Sequence, residues 1–482
     1  DVDSTPNDAG DVTLSGGDVT ITGTVTATGA VDVASDAAGG SGGALSVTAT
    51  DGSPLITLAG VSVDTSGGTG TSQGAGGTVD FNDAVSLTTA GTTLTTGASA
   101  GDILFDVTVD GGQTLALTSG SGNVVFTGIV GGSTPLGAVT LNAANDVTLT
   151  AAFNSAGLNQ STSGGGTTQV GGLLTSTGAV TLDASTVDLN AGITTTTGGA
   201  SGLVTLNAST LVDLVSGQTV TTTATAGGGA DSVVSGAVDI NVSGTGTVNL
   251  VGNVVTTGDN NSGGIGSGGG AVTIDTNNGT IALADVTTSG GTGSGASGGA
   301  AGSLTVTTAT NDVITLNGST LTAAGGTGSS QGAGASINFD DPVTLATGAV
   351  TITTGATGGD ILFDQTLGGG QTLGLTAGTG GITFTGQVGS SGTPLGALTI
   401  NSGSTVNVDS DLFAASVMGS SISVFDASGV TLNTTPNSDA SGGSVNVTSS
   451  GQLTVDGITT SGGTDVDSTP NDAGDVTLSG GD

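Results

Sequence analysis

Apolar residues in this chain fall on every second position in short runs, with Thr, Ser, Asp or Asn between them, as in VTL at 12–14, VTI at 272–274 and ITF at 382–384. Alternation of period two puts Val12 and Leu14, or Val272 and Ile274, on one face of an extended strand and Thr13 or Thr273 on the other. No long stretch has the three-and-four spacing of an amphipathic helix. The helix formers Glu, Lys and Arg are absent. The pattern predicts an all-β chain with almost no helix.

The strands restart on a recurring phrase in which Gly precedes the alternation: GALSV at 43–47, GTVDF at 77–81, GAVTL at 137–141, GAVDI at 236–240, GSLTV at 302–306, GALTI at 396–400 and GSVNV at 443–447. A second and a third apolar run often follow, then a Gly- and Ser-rich excursion before the next phrase. Each phrase therefore opens a rung, and rungs average about 31 residues, within the range of repeat architectures.

Longer repeats frame these rungs. Residues 1–18 read DVDSTPNDAGDVTLSGGD, and residues 465–482 are identical, which sets a period of 464 residues from Asp1 to Asp465. Inside it, SQGAGGTVDFNDAVSL at 72–87 matches SQGAGASINFDDPVTL at 330–345. GDILFDVTVDGGQTLALTSGSGNVVFTG at 101–128 likewise matches GDILFDQTLGGGQTLGLTAGTGGITFTG at 359–386, both with an offset of 258. The chain divides accordingly into a first half (1–258), a second, shorter and duplicated half (259–464), and the start of a further tandem copy (465–482). Phe residues recur in pairs, 81 with 339, 105 with 363, 126 with 384 and 153 with 413, and are expected to fill equivalent internal slots.

A rung of three short strands is too small to close its own core, but stacking on its neighbours buries the apolar face continuously and pairs the backbone above and below. The fold expected is a parallel β-solenoid, a right-handed β-helix, with roughly 15 irregular rungs per period. A string of β-sandwich domains is the competing fold. The restarting phrase and the aromatic content of only 2% count against it.

Composition removes most chemistry. The formal charge is −38, all from Asp, with no Lys, Arg, His, Cys, Trp or Tyr. Phosphate recognition rests on cations this chain lacks, so nucleic acid is not an expected partner. Disulfides and thiolate or imidazole metal sites are excluded. No run of about 18 apolar residues spans a membrane as a helix, and the sequence as given has no leader segment at its start. At about 4.8 Å per rung, the Asp residues lie nearly as densely along the axis as DNA phosphates. A counterion atmosphere favouring divalent cations is expected.

Two Asp-rich segments have the oxygen density that calcium needs: Asp1, Asp3, Asn7, Asp8 and Asp11, and their copies Asp465, Asp467, Asn471, Asp472 and Asp475. The alternative is a solvated turn, since Asp makes good turns. Asp409 with Asp411, and Asn82 with Asp83, are weaker candidates of the same kind. Asp340 beside Asp341 invites comparison with polysaccharide-cleaving β-helices. A catalytic acid needs a raised pKa and neighbours to bind an acidic sugar, and with no basic residue no enzymatic function is expected. Thr pairs such as Thr20 with Thr22 and Thr351 with Thr353 read as an ordinary outer face. The loops GGTGTSQGAGG at 67–77 and GGTGSGASGGAAG at 290–302 are either slack corners or surfaces for lateral bundling.

FNDAVSLTTAGTTLTTG at 81–97, GDILFD at 101–106 and 359–364, and GNVVFTGIVGGSTPLGAVTLNAANDVTL at 122–149 resemble the filamentous-haemagglutinin-like, β-strand-repeat giant surface proteins of bacteria. The likeness covers most of the chain and is one of style more than of a unique motif. It implies secreted, non-enzymatic β-helical shafts on the cell surface, in adhesion, biofilm or coats. The expected function is a structural repeat unit of an extracellular filament or giant cell-surface protein, with copies of itself stacked end to end and divalent cations as partners. The alternative is an adhesin stalk whose loops bind glycans or cells.

Overall fold

The computed structural model describes residues 6–33, 37–161, 165–196, 201–225, 233–466 and 469–481. Among these residues it contains 43 strands and no helix, and the pairings run parallel, as in Val12–Gly16 with Leu45–Ala49. The chain packs as two units, Asp1–Thr196 with Gly202–Thr219, and Thr197–Ser201 with Val220–Asp482. Division by packing and division by sequence copy do not coincide.

In the first unit the chain visits three walls in turn. One wall is Val12–Gly16, Leu45–Ala49, Val79–Phe81, Ile103–Phe105, Val124–Phe126 and Val147–Leu149. The next is Val19–Ile21, Leu55–Leu58, Ala84–Leu87 and Val109–Asp110. The third is Thr24–Thr26, Ser62–Asp64, Thr92–Thr95, Leu115–Thr118 and Leu136–Ala143. Three strands make a turn, and each turn hydrogen-bonds to the next. This is the parallel β-solenoid that the alternation requires.

The second unit repeats the plan. Its first wall runs through Val238–Thr245, Val272–Asn278, Leu304–Thr308, Ile337–Phe339, Ile361–Phe363 and Ile382–Phe384. Its second wall includes Thr247–Leu250, Ile281–Leu283, Ile314–Asn317 and Val343–Thr347. Its third includes Asn253–Val255, Val286–Thr287, Thr320–Thr322, Val350–Thr353 and Leu373–Thr376.

Inward positions are aliphatic and buried. One turn places Ile103, Phe105, Val109, Leu115 and Leu117 inside, each contributing on the order of 1.5–3 kcal/mol by leaving water. Phe side chains stack up the first wall, Phe81 on Phe105 at 5.2 Å between centroids and Phe105 on Phe126 at 4.9 Å with rings 1° from parallel, while Phe153, on the second wall through Val130, is edge-on to Phe126 at 5.5 Å. In the second unit Phe339, Phe363 and Phe384 repeat the stack at 5.2 and 5.4 Å.

The pairing of Phe153 with Phe413 is corrected. Phe153 bridges to Val130, whereas the partner of Val388 is Leu412. The loop GSSGTP at 389–394 has one residue more than GGSTP at 131–135. The offset after that loop is therefore 259, which makes Leu412 the buried equivalent of Phe153 and Phe413 the equivalent of Asn154. Successive strand residues face opposite ways, so Phe413 lies half-exposed on the outside.

Corners explain both the Gly phrase and the uneven rung lengths. At the end of a turn a buried Thr or Ser donates its hydroxyl to the carbonyl of the Gly that restarts the next: Thr65 to Gly77 at 2.6 Å, Thr96 to Gly101 at 2.7 Å, Ser119 to Gly122 at 3.0 Å, Thr195 to Gly202 at 2.7 Å and Thr434 to Gly443 at 2.6 Å. The closed segment spans 2 residues at Ser176–Gly178 and 14 at Thr288–Gly302. Core geometry is thus kept while the corner varies. Neighbouring turns are 33 or 34 residues apart where the corner is long and 21 or 23 where it is short, the latter well below the expected average.

The long excursions are not slack. Along each leg, hydrogen bonds recur at every third residue: Gly258 and Asn261 donate to Ser289 and Thr292, and Gly290 and Gly293 to Ala324 and Thr327. Returning legs close on outgoing ones, with Ser267 donating to Asp259 and Gly299 to Gly291. A period of three is that of the extended polyproline II helix. These legs form a stack of threefold helices, with an equivalent one in the first unit, where Gly40 donates to Ala30, Gly68 to Gly40 and Gly74 to Gly68. A Cβ on Gly291 or Gly299 would meet a carbonyl of the neighbouring leg, which is why these legs are glycine-rich.

Candidate functional site at the acidic corners and the terminal rung

Many Asp carboxylates accept a backbone N–H from the adjacent turn. Asp102 Oδ1 accepts from Asn123 N at 2.8 Å, Asn123 Oδ1 from Asp146 N at 3.1 Å, and Asp146 Oδ1 from Thr167 N at 2.7 Å. Each of these residues directly precedes an inward strand, so the side chain braces the start of the next turn. In the second unit Asp360 Oδ1 accepts from Gly381 N at 2.7 Å. That column stops there, because Gly381 stands where the first half has Asn123. Asp285 Oδ1 to Thr320 N at 2.7 Å and Asp411 Oδ1 to Thr431 N at 2.8 Å are braces of the same kind. Sequence reasoning did not find these braces; the recurring acidic or amide residue between Gly and the first apolar residue, as in GDI and GNV, was the available signal.

The candidate calcium ligands fall into this scheme where they are described. Asp8 Oδ1 accepts from Ser41 N at 2.6 Å and Asp11 Oδ1 from Ala44 N at 2.8 Å, while the Asn7 carbonyl accepts from Ala30 N at 3.0 Å. In the second copy, the Asn471 amide donates to Asp439 Oδ1 at 2.7 Å and Asp472 N to Ser441 Oγ at 3.2 Å. The carbonyls of Asp472 and Asp475 accept from Gly442 N and Val445 N at 2.8 and 2.9 Å. Asp465 is exposed. Asp1, Asp3 and Asp467 lie outside the described residues. Among the described residues no three acidic side chains come together in a group able to hold a metal ion.

The side chains of most other acidic candidates also tie neighbouring turns together. Asn82 donates to Ser46 Oγ, Val47 O and Thr48 Oγ1, each at 3.2 Å, and Asp83 Oδ2 accepts from Ala49 N at 2.8 Å. At the duplicated position Asp340 Oδ2 accepts the Thr307 hydroxyl at 2.9 Å, and Asp341 Oδ2 accepts the Thr308 N–H. Both carboxylates of the 340–341 pair are therefore engaged by the preceding turn. Asp409 and Asp411 act separately, Asp409 through its N–H to Phe384 O.

Two carboxyl groups are perturbed. Burial, and then the charge of Asp106, raise the pKa of Asp80 above its ordinary value, and Asp80 Oδ1 has no hydrogen-bond partner. Burial likewise raises that of Asp183. A cleft over Pro394, Ala414, Thr435 and Pro436 is lined by no ionisable side chain. Among the described residues no helix is long and apolar enough to cross a membrane.

No protein-family model, curated protein or solved structure matches this chain.

The terminal rung completes the geometry. Val12–Gly16 pairs with the turn after it, Val12 opposite Leu45 and Leu14 opposite Val47. The identical residues Val476–Ser479 pair with the turn before them, Val445 opposite Val476 and Val447 opposite Leu478. Val476 is 47% exposed and Leu478 41%.

Proposed function

We propose that this chain is a structural repeat unit of an extracellular filament or giant cell-surface protein, in which copies continue end to end as one acidic β-solenoid shaft. One observation carries the reading: the described residues of the shared segment make two complementary sets of bonds. At the first copy Val12 N donates to Ala44 O, and Asp8 and Asp11 brace Ser41 and Ala44 through their carboxylates. At the second, the Asp472 and Asp475 carbonyls accept from Gly442 and Val445, and Asp472 N donates to Ser441. Different atoms are used, so a single copy of the segment can hold a turn behind and a turn ahead at once. Val476 and Leu478 would then be covered by a following GALSV strand, and the open strand edge would persist only at the ends of the array.

In this reading the chain performs no reaction, and its acidic surface carries a cloud of divalent cations. Placement outside the cell rests on the likeness of residues 81–97 and 122–149 to giant surface proteins. The test is assembly. Purified chains or tandem copies form fibres of regular diameter, and a V476D/L478D double substitution that keeps the β circular dichroism spectrum stops end-to-end growth. Unimpeded growth of the variant would sink the reading, and soluble monomers retained on glycan surfaces would point to an adhesin stalk instead.

A further inference from the structure

The long excursions of the second unit stand at two different corners. Those at 256–270, 288–302 and 322–335 lead onto Val272, Leu304 and Ile337 of the phenylalanine wall. Those at 434–443 and 460–474 lead onto Val445 and Val476. These two pair with each other and, through Val417 and Leu398, belong with Leu373 and Val350 on the third wall. The phenylalanine wall meanwhile continues from Ile382 through Val406 and Phe425 to Leu453. Because the wall segments laid down between Ile337 and Val445 are not a multiple of three, the excursions have moved by one wall, a third of a turn.

We propose that the returning leg at 469–474 is the docking surface for residues 27–33 and 37–43 of a following copy, on which that copy's residues 65–77 stack in turn, so that a second glycine-rich ridge crosses each copy junction a third of a turn from the ridge at 256–335. This rests on the filament reading above. The occupant is identified by identity of sequence: Asn471–Gly474 repeat Asn7–Gly10. In the first unit that segment already carries such a leg, with Ala30 N donating to Asn7 O at 3.0 Å, Ala9 N to Ser41 O at 2.8 Å, and Ser41 N to Asp8 Oδ1 at 2.6 Å. The next legs follow in the same stack, Gly40 donating to Ala30 and Gly68 to Gly40. The phase changes too. Leu14 shares a wall with Val47, Phe81, Phe105 and Phe126, whereas its copy Leu478 shares one with Val447, Gly419, Ile400 and Leu375. The following copy's phenylalanine stack is therefore laid on the third wall of this unit, out of line with Phe339, Phe363 and Phe384. A shaft built this way offers glycine-rich edges at more than one corner.

The experiment is electron cryo-microscopy of a chain of two tandem copies, with spin-label distances in the single chain. The expected image has a ridge continuous across the junction and rotated by one corner from the ridge at 256–335. A junction ridge in line with that one, on a joined shaft, overturns this inference and leaves the filament reading standing. Two copies that fold as unconnected shafts overturn both. The chain has no Cys, so S329C with S438C reports cleanly. Five rungs at about 4.8 Å separate these positions by about 24 Å along the axis. A clearly longer distance is expected, and one of about 24 Å places both excursions on one corner and sinks the proposal.

Discussion

The Thr288 hydroxyl donates to the Gly302 carbonyl at 2.5 Å, and both residues are buried where a 14-residue excursion leaves and rejoins the coil. The contact fixes the two ends of the corner whatever lies between them. Removing the donor leaves a buried carbonyl short of a partner, which costs about 1–3 kcal/mol. Thr288→Val is expected to destabilise its rung by that amount and Thr288→Ser far less. Hydrogen exchange at Leu304 and Val306 reads the difference locally; equal protection in both variants would show that the clamp is dispensable.

Gly302 itself admits no side chain, because a Cβ there would collide with the Gly270 carbonyl, whereas one on Gly370 would meet nothing within 4 Å. Gly302→Ala is expected to cost about 1–3 kcal/mol through overpacking, and Gly370→Ala to change stability by less than about 0.5 kcal/mol. Denaturant unfolding of the two variants side by side checks the pair.

Phe105 sits between Phe81 and Phe126 in the stack, so Phe105→Ala opens a cavity in the middle of a column. About 3–5 kcal/mol is expected. Phe413→Ala, on the outer face, is expected to cost much less. Comparable losses would mean that Phe413 is an inward residue after all.

Asp80 is, with Asp183, one of two carboxylates among the described residues whose ionised form carries a stability cost at neutral pH. Its folded pKa lies above the unfolded value of 3.8, so the folded state favours the protonated form. Stability from this group is present below the unfolded pKa and falls as pH rises through the folded one. The duplicated position carries Asn338, a neutral residue. Asp80→Asn should therefore stabilise the fold at pH 7 by a small increment, on the order of 0.5 kcal/mol after solvent screening, and have no effect near pH 3. Thermal melts at the two pH values test the sign.

With a charge of −38 and no cationic side chain, the charged side chains can only repel one another. Melting temperature is expected to rise between about 10 mM and 1 M salt as the Debye length falls from about 30 to 3 Å. Calcium and magnesium at equal concentration should act alike if the ions form a cloud. A calcium-specific increment that disappears in D8N/D11N would instead identify an ordered ion at that segment.

Alternation, the Gly phrase and the duplicated Phe positions made the strands, the parallel coil and the inward residues legible from the sequence, because each depends on a few neighbouring residues and on which face they share. The corner clamps, the carboxylate braces and the threefold glycine legs were not, since they join residues of different turns whose spacing is set by corners of unequal length. Phe413 failed for a related reason: one added residue in the loop at 389–394 changes the offset between the halves from 258 to 259, so the inward slot of Phe153 falls to Leu412 and Phe413 takes the outward place beside it. Which wall a repeated segment such as DVTLS lies on is decided only by the cumulative number of strands before it, and that count becomes readable once the coil has closed and each turn has found its neighbour.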